Sequence, residues 1–264
     1  MSKVKDITIT AIDAIHAFSL SKKYLFTIDE LQKATIAQTQ EKGDITGKGG
    51  RKISSLKKNK AVTISGTNGF ISGGLLEMQT GSLFENKDTE VMWRETLTVN
   101  AQSANTTWKA VGTPGAEISN LYLMNEDKSL GEELTQNATA ESSGQFAYAP
   151  TTKALTFYED VEDGTEVMVC YKRKVNGEVH ENFSDKYSEK CSLYIDAVGE
   201  DSCGDIYRIQ VYIPKADFSG EFSLEMGDNQ TVHAFEAESL AGACGTSGSL
   251  WTYTVIGANE EDAA

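Results

Sequence analysis

The sequence predicts a mostly β protein that contains one or two short helices. Along the 264-residue chain, short segments alternate apolar with polar residues and are rich in β-branched and aromatic side chains, as half-buried strands are. Gly, Asn, Asp, Ser or Pro residues, which favour turns, bound these segments. Hydrophobic residues form 39% of the chain, which is enough for a sizeable core.

The predicted strands are spread along the whole chain. Residues 5–12 alternate isoleucine with threonine, and residues 90–99 place four apolar side chains, Trp93 among them, on one face. The pair Asn176–Gly177 predicts a type I′ hairpin turn after the strand at residues 165–175, because both central residues of that turn need a positive φ. The other predicted strands are residues 61–65, 116–124, 205–213, 221–226 and 250–256.

Two segments have the spacing and the boundary residues of helices. Asp29 is a candidate N-cap for a helix over residues 30–39, whose side chains recur at helical spacing. Asn68 is a candidate N-cap for a second helix over residues 69–80, which Gly81 is expected to terminate.

Two polar stretches indicate how the chain is divided. Residues 100–115 are rich in Ser, Thr, Asn and Gly, and residues 181–190 form a second polar stretch. We therefore predict that residues 1–100 and 183–264 form one β core and that residues 101–182 form an inserted β-rich subdomain. A single domain is the alternative, because no Pro-rich or low-complexity linker divides the chain.

The net charge of −15 is distributed unevenly. Residues 1–60 carry 12 basic and 6 acidic side chains, whereas residues 61–264 carry 12 basic and 33 acidic ones. Such an acidic protein is unsuited to reading a nucleic-acid sequence, because phosphate contacts require clustered cations.

Six cations are nevertheless concentrated within residues 48–60, which we predict to form a loop. No aromatic residue lies among them to stack on a base, so a nucleic-acid patch is the less favoured interpretation. We predict that this loop meets an acidic surface on a neighbouring copy, because a chain that is basic in one part and acidic in another is complementary to itself head to tail. The predicted subunit-interface residues are Lys48, Arg51, Lys52, Lys57, Lys58 and Lys60.

The sequence predicts no catalytic, cofactor-binding or metal-binding site. The cysteines form no C-x-x-C pair, the histidines are far apart, a G-x-S-x-G motif is absent, and residues 43–49 lack the spacing of a phosphate-binding loop. Adjacent acidic pairs are interpreted as solvated surface. A hydrolase function is a less favoured interpretation, in which these pairs would supply the general acid and the general base. The residues concerned are Cys170, Cys191, Cys203 and Cys244, His16, His180 and His233, and Glu159, Asp160, Glu162 and Asp163.

Two parts of the chain resemble the major tail tube proteins of long-tailed bacteriophages. The first is KISSLKKNKAVTISGTNGFISGGLLEMQTGS at residues 52–82, followed by the strand EVMWRETLTV. The second is YRIQVYIPK at residues 207–215 with residues 220–228, 233–235 and 250–253, which are similar to the closing strands of that family. Together the two parts cover roughly half of the sequence.

The resemblance implies a virion structural protein rather than an enzyme. In that family, subunits with a β-sandwich or barrel-like core and a flanking helix form hexameric rings, which stack into the tail tube through which double-stranded DNA passes without specific binding. The partners would be other copies and other tail proteins, such as the tape measure and the tail-end proteins. The acidic balance of residues 61–264 favours a negatively charged lumen that repels DNA.

We expect the protein to be made in the cytoplasm of the host bacterium and to reside in the virion tail. No apolar run approaches the ~18 residues that span a bilayer, and the first residues lack the apolar segment of a signal peptide, so no membrane association is expected.

The alternative function is a carbohydrate- or surface-binding β-sandwich module of a virion, such as a decoration or an adhesin. Trp93, Trp108 and Trp251 would then be sugar platforms. In a tube protein, Trp93 and Trp251 are instead expected to be core residues, because both lie in alternating strands.

Overall fold

A computed structural model describes residues 6–227, 232–241 and 248–256. The structure is 63% strand and 5% helical, so the prediction of a mostly β fold is confirmed. Within the described residues the elements are β1 (Ile7–Ser19), β2 (Tyr24–Ile28), β3 (Leu31–Thr46), β4 (Lys52–Asn68), α1 (Gly73–Thr80), β5 (Phe84–Thr98), β6 (Ser103–Asn105), β7 (Ile118–Met124), β8 (Leu130–Glu133), β9 (Thr135–Asn137), β10 (Gln145–Ala149), β11 (Ala154–Phe157), β12 (Glu166–His180), β13 (Lys190–Asp201), β14 (Ile206–Phe218), β15 (Leu224–Glu225), β16 (Val232–Ser239) and β17 (Thr252–Ile256).

The chain folds into two compact units. The first unit comprises Met1–Phe84 and His180–Ala264, and the second comprises Glu85–Val179. Nearly all of β5 therefore belongs to the second unit, together with β6–β12 up to Val179.

The first unit is built on one antiparallel sheet with the strand order β2-β1-β13-β14-β16-β4-β3. β15 pairs with β16, and β17 pairs with β14. Side chains alternate across the strands, so that Leu193 and Ile195 of β13 are buried on one face. Leu75 and Met78 of α1 belong to the same buried cluster, which places the helix on the core face of the sheet.

Local capping determines where α1 begins and ends. The Ser72 hydroxyl accepts a hydrogen bond from the Leu75 N–H at 3.4 Å, and Gly81 terminates the helix with a φ of 70°. The predicted second helix is thus confirmed in its C-terminal part, including its end at Gly81. The predicted cap is wrong, because Asn68 is the last residue of β4.

The predicted first helix is wrong, because residues 30–39 lie largely in strand β3. Ile36 is directly opposite Ile64 of β4, and both side chains face the core. The cross-strand main-chain hydrogen bonds and this burial come from residues distant in sequence, so they override the local helical spacing.

The predicted turn at Asn176–Gly177 is also wrong. Both residues lie inside β12 and neither has a positive φ. The Asn176 amide donates instead to the Asp88 carboxylate of β5, the neighbouring strand of the sheet, at 3.0 Å. Of the predicted strand at residues 221–226, only Leu224–Glu225 is a strand.

The second unit is a β-sandwich of two four-stranded sheets. One sheet has the order β6-β11-β10-β9 and the other β5-β12-β7-β8. Its core joins side chains from both sheets, such as Phe146 and Leu155 from the first and Leu121 and Val169 from the second. This cluster is separate from the core of the first unit.

Candidate functional site

β3 and β4 extend past the buried part of the first unit as a two-stranded hairpin, residues 40–60, which we call the arm. The strands pair from Gln40 opposite Lys60 to Thr46 opposite Lys52, and a short 3-10 turn at Lys48–Gly50 lies between them. Nearly all side chains of the arm are exposed. The loop predicted over residues 48–60 is therefore wrong, since most of that segment is strand.

One face of the arm is basic. Lys42 and Lys57 are directly opposite each other, so their side chains lie on the same face. Asn59 forms a β-bulge, because it has a φ of 53° and no partner residue on β3. The next residue, Lys60, is opposite Gln40 and therefore lies on the same face as Lys42 and Lys57. Like charges directly opposite each other destabilise a strand pair. None of these three ammonium groups makes an ion pair within the described chain.

Acidic residues of β3 neutralise two other cations of the arm. The Lys52 Nζ lies 2.5 Å from the Asp44 Oδ1, and the Lys58 Nζ lies 4.0 Å from the Glu41 Oε2. All four side chains are about half exposed, so these pairs contribute little to the stability of the arm.

The opposite face of the arm is partly apolar. Leu56 and Ile45 are 58% and 50% exposed. Leu56 is one residue from Lys57 and Ile45 is three residues from Lys42, so the alternation of a strand places both on the face opposite to the lysines. The Lys58–Glu41 pair lies on this same face. A two-stranded hairpin without a third strand or a covering layer is marginally stable in water. The arm therefore presents unpaired charge on one face and uncovered apolar area on the other.

The structure distributes the six predicted interface residues over three places. Lys57 and Lys60 lie on the basic face, Lys52 and Lys58 are paired within the arm, and Lys48 and Arg51 lie at the tip. Lys42 was not predicted, because it lies outside the cationic segment of the sequence. A hairpin prediction centred on the glycines at residues 47–50 would have placed it opposite Lys57.

Other chemistry-bearing residues that the structure describes form no candidate catalytic or metal centre. The described residues contain no group of three or more His, Cys, Asp or Glu side chains that could hold a metal ion. Glu159, Asp160, Glu162 and Asp163 are exposed in the turn after β11. Burial raises the pKa of the Cys191 thiol to about 12, so this thiol is unreactive at neutral pH. Cys244 and Asp228 lie outside the described residues.

Two of the three tryptophans flank an arginine in the second unit. The Arg173 guanidinium carbon lies 4.6 Å from the centroid of the Trp93 ring and 4.3 Å from that of Trp108, which is cation–π geometry. Trp93 is 36% exposed, so its assignment as a core residue is wrong. Trp251 is half-buried and packs against the core of the first unit, as expected.

The described residues are mostly strand, and the arm exposes cations on one face and apolar side chains on the other. The chain belongs to the YomU/Tube protein family, whose model matches residues 9–252. It is therefore a phage tail tube structural protein, and its location is the virion tail. This family is not an enzyme family. No curated protein matches the chain by sequence.

No helix in the described part of the chain is long and apolar enough to cross a bilayer.

Proposed function

We propose that copies of this chain form hexameric rings that stack head to tail into the tail tube, a conduit for double-stranded DNA. The observation that carries the proposal is the arm, which is exposed on both faces and is marginally stable without a partner. Contacts with neighbouring copies would pair the free ammonium groups on one face of the arm and cover Ile45 and Leu56 on the other. Head-to-tail contacts of this kind generate rings or helical filaments.

The arm is the proposed subunit contact, and Lys48, Arg51, Lys52, Lys57, Lys58 and Lys60 are its proposed interface residues. Within the described chain, Lys57 and Lys60 supply unpaired charge on one face, and Lys48 and Arg51 supply it at the tip. Charge at such a contact directs orientation and partner choice more than it adds affinity. The acidic balance of residues 61–264 supplies the complementary sign on every other copy.

A ring of six subunits is wide enough for a duplex. If each subunit contributes about four strands spaced ~4.8 Å apart, the barrel of roughly 24 strands has a diameter near ~37 Å before tilt widens it. We propose an acidic lining, which repels DNA within the Debye length of about 8 Å and favours rapid passage. The tape measure protein and the tail-end proteins are the other proposed partners.

We propose that Glu85–Val179 is a subdomain inserted into the tube-forming core. This unit has a buried cluster of its own, which includes Phe146 and Leu155. The two points at which the first unit is interrupted lie together, because the ring centroids of Phe84 and His180 are 4.8 Å apart. An element with its own core and adjacent ends can be added to a fold with little strain.

Negative-stain electron microscopy of the concentrated protein tests the proposed function. We expect rings or tubes from the wild-type chain, and folded but unassembled protein from the double variant Lys57→Glu, Lys58→Glu. The matched control is Lys109→Glu, Lys174→Glu, which reverses two exposed lysines of the second unit and should assemble normally. A wild-type chain that stays monomeric at high concentration would contradict the proposal, and glycan binding by that monomer would favour the adhesin alternative.

A further inference from the structure

A second exposed surface of the first unit carries charge opposite to that of the arm. Along β16, alternate residues are buried, and Glu236 and Glu238 lie between them on the exposed face. Their cross-strand neighbours on β4 are Ser65 and Thr63. Two carboxylates therefore project beside a floor of small uncharged side chains, and we call this the acidic face.

The carboxylates of the acidic face have no counter-ion among the described residues. Glu238 is directly opposite Asp217 of β14, so like charges meet across this strand pair. The Lys190 Nζ lies 3.4 Å from the Asp217 Oδ2, whereas Glu236 and Glu238 make no ion pair within the described chain. A groove of about 500 Å³ beside Glu236 is lined by Glu221 and also by Lys33, which makes no ion pair with Glu236 or Glu238.

We propose that the basic face of the arm docks on the acidic face of a second copy of this chain. The proposal rests on the proposed function, and it names the surface that receives the arm. Over the residues that the structure describes, Lys42, Lys57 and Lys60 are unpaired on one surface, and Glu236 and Glu238 are unpaired on the other. The arm also contains a like-charged cross-strand pair, Lys42 and Lys57, and the contact relieves their repulsion.

The spacing of the charges is compatible with such a contact. Glu236 and Glu238 are two residues apart on one strand, which is about 7 Å. Lys42 and Lys57 are cross-strand neighbours, about 5 Å apart, and their long side chains adjust over several ångströms. Both surfaces are exposed faces of paired strands, so a strand pair can lie on the acidic face.

The acidic face of the same molecule cannot receive the arm. Thr63 is level with Glu238, and Lys57 lies six residues earlier on the same strand, which is about 20 Å along β4. Because β4 is continuous from Lys52 to Asn68, the arm cannot fold back without breaking the strand. The contact is therefore between copies, as a head-to-tail assembly requires.

A charge-swap mixing experiment tests this pairing. The arm variant is Lys42→Glu, Lys57→Glu, Lys60→Glu, and the face variant is Glu236→Lys, Glu238→Lys. By pelleting and negative-stain microscopy, each variant alone should lose tubes at least tenfold, because its arm and its acceptor now have the same sign. An equimolar mixture should recover tubes, because each arm then finds an acceptor of opposite sign on the other variant.

Charge-matched controls separate this contact from a general charge effect. The variants Lys23→Glu, Lys109→Glu, Lys174→Glu and Glu126→Lys, Glu178→Lys change exposed residues outside both surfaces and should assemble alone. Circular dichroism confirms that every variant is folded. Tubes from either swap variant alone, or no tubes from the mixture of two folded variants, would overturn the pairing while wild-type tubes still support the proposed function. Absence of wild-type tubes would instead reject the proposed function itself.

Discussion

The imidazole of His233 is fully buried and hydrogen-bonded to the side chain of Gln79, with 2.7 Å between the His233 Nε2 and the Gln79 Oε1. The other ring nitrogen, Nδ1, accepts the backbone N–H of Ser72 at 3.2 Å. The Gln79 amide in turn donates to the Ala234 carbonyl at 3.1 Å. The ring is therefore neutral with its proton on Nε2, and it ties both ends of α1 to β16.

We expect the stability of the first unit to fall on mild acidification. Burial lowers the pKa of His233 below its ordinary value of 6.5, so the unfolded chain binds this proton more tightly than the folded one. The contribution of the neutral His233 ring to the free energy of unfolding is therefore complete above pH 6.5. As the pH falls from 6.5 towards the pKa of the folded state, the free energy of unfolding decreases by at most about 1.4 kcal/mol per pH unit. Urea unfolding between pH 7.5 and 5.5 measures this slope.

The comparison variant for this prediction is His233→Asn. It is less stable at every pH, but its stability should vary less with pH than that of the wild type over the same window. Equal slopes in the two proteins would show that another group controls the acid response.

Substitution of Gly81 by alanine should destabilise the end of α1. The φ of 70° is unfavourable for any residue with a β-carbon, by about 1–2 kcal/mol, and that atom would also collide with the carbonyl oxygen of Tyr187. Gly204→Ala is the control, because Gly204 also has a positive φ. Among the described residues, an added β-carbon at Gly204 would meet only the Glu200 side chain, at 3.7 Å, and no backbone atom. Scanning calorimetry should give a lower midpoint for Gly81→Ala than for Gly204→Ala.

Removal of the Tyr171 hydroxyl should destabilise the second unit. This buried side chain donates to the Glu95 Oε1 at 2.7 Å and accepts the Trp108 N–H at 3.0 Å, so Tyr171→Phe leaves a main-chain donor without a partner. We expect a loss of about 1–3 kcal/mol in chemical unfolding. Tyr158→Phe is the control, since its hydroxyl makes an exposed 3.4 Å contact with Glu159. Equal losses would contradict this assignment.

Excision of the second unit tests whether it is an insertion. A short Gly-Ser linker in place of residues 85–179 should reconnect Phe84 to His180, whose rings are already in contact. We expect a folded shortened chain that still forms tubes by electron microscopy. A shortened chain that is unfolded by circular dichroism would show that the first unit depends on the second.

The sequence was informative where local interactions decide the structure. The end of α1 at Gly81 was predictable, because a helix terminus is determined by a few neighbouring residues. Residues 30–39 and the pair Asn176–Gly177 were mispredicted for the opposite reason. Both follow local rules for other structures, but pairing of β3 with β4 and of β12 with β5 outweighs those rules.

The amino-acid sequence by itself determined the mostly β class and the concentration of cations before residue 61, because these depend on composition and periodicity. The resemblance to tail tube proteins rested on particular segments, such as residues 52–82 and 207–215. Only the tertiary structure decided which charges share a surface. The register of β3 against β4 places Lys42 opposite Lys57, and the alternation along β16 places Glu236 and Glu238 on its exposed face. Strand register depends on contacts between distant residues, and a shift of one residue would move every side chain to the other face.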